Sequence, residues 1–161
     1  NHPDFIELIN EYKSIPVPKI ENQKNNDPDH ITDSSEIPMK KIGGVYEVDC
    51  AINNLPLKFI FDTGASTVSI SSVEASFMLK NGYLSENDIK GKEYYSVATG
   101  EICEGTIIRL REIRVGDAIL KNVEASVAHN QNAPLLLGQS VLERFGTITI
   151  DNKNSKLIIK Q

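Results

Sequence analysis

The amino-acid sequence predicts a mainly β fold with one or two short helices. Runs rich in Val, Ile, Leu and Tyr recur between clusters of Asn, Asp and Gly, a pattern typical of strands joined by turns. Helical spacing is confined to brief stretches, and long helices do not alternate with strands, so we do not expect a doubly wound parallel sheet. No segment repeats at a fixed period.

The first 37 residues differ in composition from the rest of the chain. Apolar residues recur there at the spacing of one helix face, at Phe5, Leu8, Ile9 and Tyr12. From Ser14 to about Pro38 the composition shifts to Asn, Asp, Lys, Ser and Pro, which indicates a linker or extended arm. We therefore expect a short helix plus polar arm over residues 1–37 and one domain over residues 38–161. A leader without function, a prosegment and a strap around a partner remain open.

The domain begins with strands and one capped helix. The runs Val45–Ile52 and Leu57–Phe61 flank a turn at Asn53-Asn54 and should pair as a hairpin. Thr67–Ile70 is a further short strand. The spacing of Ser71 and Glu74 matches a capping box, which predicts a helix that ends near Gly82.

Later strands are expected at Tyr94–Val97, Glu101–Val115, Leu120–Ala128, Thr147–Ile150 and Leu157–Ile159. Between them, Gln139–Phe145 has a helical pattern closed by Gly146.

Composition narrows the classes of function. The 161 residues, 40% hydrophobic and 24% charged, suit one globular domain. The net charge of −5 and the lack of a dense Lys/Arg stripe make nucleic acid an unsuitable partner. No apolar run approaches the ~20 residues of a membrane span, so we expect no membrane segment in this chain. Because the chain starts with Asn1 and not Met, we expect a trimmed or processed product.

Metal and covalent chemistry find little support in the sequence. The three histidines, His2, His30 and His129, are too scattered for a metal site, so we expect neither a metal nor a cofactor. Cys50 and Cys103 lack CxxC spacing and resemble small core residues, although a disulfide between them remains open. No serine lies in a GxSxG elbow, and neither cysteine has an evident catalytic partner.

One aspartate stands in an unusual setting. The apolar strand Phe59-Ile60-Phe61 delivers Asp62 into a turn of small and hydroxylated residues, Thr63-Gly64-Ala65-Ser66-Thr67. Burial disfavours a charged carboxylate unless donors surround it, and this turn offers backbone N–H groups and hydroxyls. Gly64 allows close backbone approach or positive φ. Taken alone, Asp-Thr-Gly is also the composition of an ordinary capped turn.

The extended motif resembles the catalytic loop of aspartic peptidases, in which two apolar residues precede Asp-Thr/Ser-Gly at a strand end. Leu135-Leu136-Leu137-Gly138 is similar to the apolar-apolar-Gly segment behind that loop in retropepsin-like subunits, although a generic buried strand would have the same pattern. The resemblance covers about Val45–Ile159 and implies a closed acid-protease barrel. It implies that Asp62 is catalytic, that Thr63, Gly64, Ala65 and Ser66 support it, and that Leu136, Leu137 and Gly138 back the loop.

A flap is implied between the two motifs. The segment Tyr94–Cys103 is the candidate hairpin, with Thr99-Gly100 at its tip. By resemblance, Val97, Ala98, Thr99 and Gly100 form the flap that contacts a peptide substrate. An ordinary surface hairpin has the same turn residues.

The chemistry of the family implies a homodimer. Two carboxylates must share a proton, one ionised and one protonated, to activate water against a peptide carbonyl without a covalent intermediate. The other aspartates of the domain, Asp49, Asp88, Asp117 and Asp151, lack a following Thr/Ser-Gly.

The second carboxylate must then come from Asp62 of another copy. By resemblance, Thr63 cross-braces the two loops and Ser66 hydrogen-bonds its own Asp62. Terminal strands commonly tie such dimers, and the run Lys156–Gln161 either does so or finishes the internal sheet. The short plan is most similar to bacterial retropepsin-like peptidases, which implies a bacterial exported or periplasmic protein.

Two other functions compete with an endopeptidase. Phosphotransfer enzymes also place an aspartate after an apolar strand. One such group needs a second aspartate where Gly64 stands, and a Gly-rich phosphate loop is missing. A catalytically silent peptide-binding or dimerisation module is the alternative, because a fold does not guarantee activity. Intact Asp62, Thr63 and Gly64 favour the enzyme, since buried paired carboxylates are costly without a catalytic reason.

Overall fold

A computed structural model describes residues 29–30, 34–96, 98–130 and 132–160. The helix expected around Phe5–Tyr12 lies outside these residues. The described strands are β1 (Ser34–Ile42), β2 (Val45–Ile52), β3 (Leu55–Phe61), β4 (Val68–Ser71), β5 (Ile89–Ser96), β6 (Ile102–Val115), β7 (Ala118–Ala128), β8 (Leu136–Leu137), β9 (Thr147–Asp151) and β10 (Lys156–Lys160). The described α-helices are α1 (Ser72–Lys80) and α2 (Gln139–Leu142), and a 3₁₀ turn, Glu143–Phe145, extends α2.

The strands close into a barrel. They neighbour one another in the order β5-β6-β7-β4-β8-β3-β2-β1-β10-β9, and β2 also pairs with β6. This extra pairing joins the end of β2, Cys50–Ile52, to the end of β6, Ile113–Val115, and completes a ring of β2, β3, β8, β4, β7 and β6. Ring closure gives each of these six strands a neighbour on both sides, while β5 and β9 remain at the two ends of the described sheet. The predicted mainly β barrel with two short helices is confirmed.

Two local predictions are confirmed, the β2–β3 hairpin and the capped start of α1. β2 and β3 form the expected antiparallel hairpin, and both Asn53 and Asn54 take positive φ in its turn. Ser71 caps α1, because its hydroxyl accepts a hydrogen bond from the Glu74 N–H at 3.3 Å. Helix α1 then buries Met78 and neighbouring apolar residues against the barrel. A fully buried side chain of this size contributes about 1.5–3 kcal/mol.

β1 begins inside the segment that composition assigned to a linker. Ser34–Pro38 pairs antiparallel with β10, and Ser35, Ile37 and Met39 alternate inward. Alternation of buried residues is the strand pattern, and the polar residues between them face outward and hide it. β10 lies between β1 and β9, so of the two possibilities for the C-terminal run it finishes the internal sheet.

Asp29 and His30, the described residues upstream of β1, both contact the domain. Asp29 accepts hydrogen bonds at 2.7 and 2.8 Å from Nη2 of Arg144, which follows α2. His30 and Ile119 exchange two backbone hydrogen bonds, at 2.8 and 2.7 Å. Asp29 and His30 therefore lie against β7 and the turn after α2.

Among the described residues, no helix is long and apolar enough to cross a membrane.

Candidate active site

Asp62 stands directly after the end of β3. The last residues of β3, Ile60 and Phe61, pair in parallel with Leu136 and Leu137 of β8. The Asp62 N–H donates to the Leu137 carbonyl oxygen at 3.2 Å, which continues this pairing by one residue. The structure thus places the predicted loop-backing segment beside the predicted catalytic aspartate.

Gly138 lets the backing segment lie against the loop. A Cβ on residue 138 would sit 2.2 Å from the Thr67 carbonyl oxygen and 2.8 Å from that of Ala65. At both distances the Cβ would overlap the oxygen atom. The N–H groups of the two residues after it donate to the carbonyl oxygens of Ala65 and Ser66, at 2.8 and 3.0 Å. Glycine is required here for space, since its φ of −99° suits any residue.

The Asp62 carboxylate is half-buried and is oriented by its own loop. Its Oδ1 accepts a hydrogen bond from the Gly64 N–H at 2.9 Å. A Cβ on Gly64 would lie 3.2 Å from that oxygen, closer than ordinary contact. Thr63 and Ser66 are exposed. Ser66 was expected to hold Asp62 through its hydroxyl. Among the described hydrogen bonds, the Asp62 carboxylate accepts instead from the Gly64 N–H. The Ser66 carbonyl oxygen accepts a hydrogen bond from the backing side, from the second residue after Gly138.

The predicted flap segment forms an exposed hairpin. β5 and β6 pair antiparallel as far as Ser96 and Ile102, and Gly100 at the tip has a φ of +83°. Ala98, Thr99 and Gly100 are exposed, whereas Val97 lies outside the described residues. The structure therefore joins the Asp62 loop to residues 136–138 and leaves the hairpin tip as a separate exposed element.

A cleft of about 300 Å³ opens beside the loop. Its lining is mostly apolar and comes from the end of β3, the Asp62 loop, α2 with the turn after it, and β9. The lining residues are Phe61, Thr63, Gln139, Leu142, Glu143, Gly146, Ile148 and Ile150. One wall is therefore β9, which lies at the edge of the described sheet.

In the described part of the chain, the cysteines form no disulfide and the acidic side chains form no metal-binding cluster. Cys50 and Cys103 are both free thiols. Burial, together with the nearby Asp49 charge, raises the pKa of the Cys50 thiol to about 12. Within the described ranges, no three His, Cys, Asp or Glu side chains come close enough to hold a metal ion.

Residues 48–144 match the family model described as "gag-polyprotein putative aspartyl protease". The chain belongs to the retropepsin-like aspartic peptidases. A solved structure of a retropepsin-like aspartic protease from Rickettsia conorii shares 30% identity and a TM-score of 0.61 with it, over 78% of this chain and 90% of that one. An uncharacterised protein of Rickettsia prowazekii is 33% identical over 121 residues, or 74% of this chain. The chain spans half the length of that curated relative.

Membership of the retropepsin-like family places the chain among aspartic protease-like hydrolases and confirms the resemblance drawn from the motifs. The matched stretch contains both the Asp62 loop and the Leu-Leu-Gly segment.

Two residues of the site were not singled out from the sequence. Gln139 donates from its side-chain amide to the Thr63 carbonyl oxygen at 2.8 Å. The Ser126 hydroxyl lies 3.4 Å from that of Thr67, at the base of the loop. Gln139 follows directly after the predicted motif, so its position was a signal that could have been used. Ser126 is far from the loop in sequence, and nothing in its local pattern marks it.

Proposed function

We propose that the chain is one subunit of a homodimeric aspartic endopeptidase in which two copies of Asp62 activate water. The observation that carries this is the setting of Asp62. A half-buried carboxylate, oriented by the Gly64 N–H, follows a strand that is locked to the Leu-Leu-Gly segment. Each subunit supplies one such carboxylate, and the chemistry requires two.

In the proposed reaction, one Asp62 is ionised and takes a proton from a water molecule. The water oxygen bonds to the scissile carbonyl carbon, while the protonated Asp62 of the second copy donates its proton to the carbonyl oxygen. The tetrahedral intermediate then collapses: the second Asp62, now ionised, takes a hydroxyl proton as the C=O bond re-forms. The C–N bond breaks, and the first Asp62 gives the proton taken from water to the leaving nitrogen. No covalent enzyme intermediate forms. The proton is shared because two adjacent carboxylates do not both ionise readily.

The remaining site residues take supporting roles in this proposal. Exposed Thr63 braces the partner loop, while Gly64, Ala65 and Ser66 hold the loop in shape through their backbones. Leu136, Leu137 and Gly138 keep the loop against β8. The hairpin tip, Val97 with Ala98, Thr99 and Gly100, closes over a bound peptide. The exposure of the three described tip residues is consistent with this role.

The second copy is proposed to bind along β9. This strand lies at the edge of the described sheet, and the apolar cleft next to it contains Phe61 and Thr63. Ile150 of β9 is 39% exposed, so a partner along this strand would bury apolar surface. An edge strand can extend its sheet by pairing with another chain. A two-fold axis beside β9 would also bring the two Asp62 loops together. Retropepsin-like proteases are typically dimers.

We also propose that residues 38–161, together with the start of β1 at Ser34, carry the peptidase activity and that the residues before Ser34 form an arm. Because β1 begins at Ser34 and Asp29 is bound to Arg144, a shortened chain should keep residues from 29 onward. Its activity relative to the full chain tests whether the first 28 residues restrict access to the site. Equal activity would favour a leader without function.

The direct test is peptide cleavage by the intact protein and by Asp62→Asn. A mixed peptide library is incubated across mildly acidic to neutral pH and analysed by mass spectrometry. Asp117→Asn is the matched control, because it makes the same chemical change at an exposed turn. We expect the wild type and the control to make the same cuts, and Asp62→Asn to make none.

Mixing the two forms tests the dimer. If each site needs two aspartates, adding Asp62→Asn to the wild type should lower activity more steeply than the wild-type fraction falls. Activity in proportion to the wild-type fraction would contradict a shared site. Cleavage that persists in pure Asp62→Asn would refute the role of Asp62. A folded, dimeric wild type that cuts nothing would favour the silent binding module.

A further inference from the structure

Gln139 contacts the Asp62 loop at two points. Its backbone N–H donates to the Ala65 carbonyl oxygen at 2.8 Å, and its side-chain Nε2 donates to the Thr63 carbonyl oxygen at 2.8 Å. The amide must present its NH₂ group, because a carbonyl oxygen can only accept. Gly138 precedes it, and the missing Cβ of that glycine brings Gln139 within reach.

The side-chain bond differs from the others that shape the loop. Asp62 N–H donates to the Leu137 carbonyl, Ala65 N–H donates to the Asp62 carbonyl at 3.3 Å, and Gly64 N–H binds the Asp62 carboxylate. These bonds involve the main chain or the aspartate itself. The Thr63 carbonyl is instead held by a side chain from another element, so the orientation of the Thr63 peptide depends on which residue occupies position 139.

Gln139 and Thr63 also line the same cleft, beside β9. This is the surface on which the proposed second copy would bind. Covering the cleft would exclude water from the bond, and a hydrogen bond in a less polar environment is electrostatically stronger. A carbonyl left without its donor in that position would carry a desolvation cost. The bond should therefore favour the associated form over the free subunit.

We propose that Gln139 is a positioning residue that orients Thr63 toward the second subunit and so strengthens dimer formation, an inference that rests on the proposed function. Gln139 acts through Thr63 and does not touch the substrate. Its side chain must donate a hydrogen bond, whereas a residue that only filled the cleft could be replaced by any side chain of similar shape.

Two variants separate donation from packing. Gln139→Met keeps the length and lacks a donor, and Gln139→Glu keeps the shape but donates only when its carboxyl is protonated. Dimer dissociation constants are measured by sedimentation equilibrium at several pH values, with kcat and KM for a cleaved peptide. We expect Gln139→Met to dimerise roughly tenfold more weakly. Its kcat should approach the wild-type value once the concentration is high enough to form dimers.

The glutamate variant supplies a readout that packing alone would not change. A glutamate in water titrates at about pH 4.3, and covering the half-buried position 139 would raise that pKa. The dissociation constant of Gln139→Glu, divided by that of the wild type at the same pH, should rise from near one below this pH to beyond the methionine value at neutral pH. If Gln139→Met fails to fold, the pH dependence of this ratio alone tests whether hydrogen-bond donation by residue 139 strengthens the dimer.

A ratio independent of pH, or a Gln139→Met that dimerises like the wild type, would overturn the inference and leave the proposed function standing. A wild type that neither associates nor cleaves would overturn both.

Discussion

Replacing Gly138 with alanine should force the backing segment away from the Asp62 loop. The new Cβ would lie 2.2 Å from the Thr67 carbonyl oxygen, whereas ordinary contact begins at 3.4 Å, so the two segments must move apart by more than an ångström. Overpacking of this kind costs about 1–3 kcal/mol. Weakening the two backbone hydrogen bonds to Ala65 and Ser66 adds about 1 kcal/mol each. We therefore expect a loss of about 3–5 kcal/mol, a large part of a typical stability of about 5–15 kcal/mol.

The assay is urea unfolding followed by far-ultraviolet circular dichroism, at one fixed protein concentration because dimer formation alters apparent stability. Gly44→Ala is the matched control. Gly44 has a φ of +84° and a Cβ there would meet nothing within 4 Å, so the same change costs only backbone strain, about 1–2 kcal/mol. If Gly138→Ala costs no more than Gly44→Ala, the close approach does not hold the loop in place. Peptide cleavage by Gly138→Ala should also fall, because Asp62 loses its support.

Three further predictions concern the thiols and the anchored arm. Because Cys50 is buried with a pKa near 12, iodoacetamide at mildly alkaline pH should modify half-buried Cys103 first, and mass spectrometry of the native protein reads the order. Raising the pH from 9 toward 12 should destabilise the fold, since the unfolded thiol ionises and the folded one does not. The slope is about 1.4 kcal/mol per pH unit, and Cys50→Ala should flatten it in urea unfolding. Asp29→Ala removes the paired bonds from Arg144, whose side chain is 32% exposed, and should cost about 1–2 kcal/mol in the same assay; an unchanged midpoint would show that the contact does not anchor the arm.

Local signals were sufficient wherever neighbouring residues decide the structure. Asn53 and Asn54 accept the positive φ of a tight hairpin, and Ser71 caps the helix that its spacing to Glu74 predicts. These elements depend on backbone conformations and hydrogen bonds within a few residues, so their pattern is visible in the sequence.

Elements that depend on distant partners were harder to predict. β1 begins at Ser34, within the segment Ser14–Pro38 that composition assigns to a linker. Its strand structure comes from pairing with β10, more than a hundred residues later. The local pattern places Gln139 only at the start of a helix. It does not reveal the hydrogen bond to the Thr63 carbonyl, because Thr63 is distant in the sequence and the fold brings the two residues together. The contact of Ser126 at the base of the loop likewise depends on a partner that is distant in the sequence.

Three properties could be predicted from the sequence alone: the mainly β class, the family, and the aspartate on which the proposed chemistry depends. Those properties reside in short patterns, in the alternation of apolar residues and in the motif from Phe59 to Thr67. How these pieces meet depends on the tertiary structure. It closes the barrel through β2 and β6, places Gly138 against the loop, and leaves β9 at the edge of the described sheet, beside the cleft that Thr63 lines. Such contacts join residues far apart in the chain, where packing and space, not local propensity, select the partner.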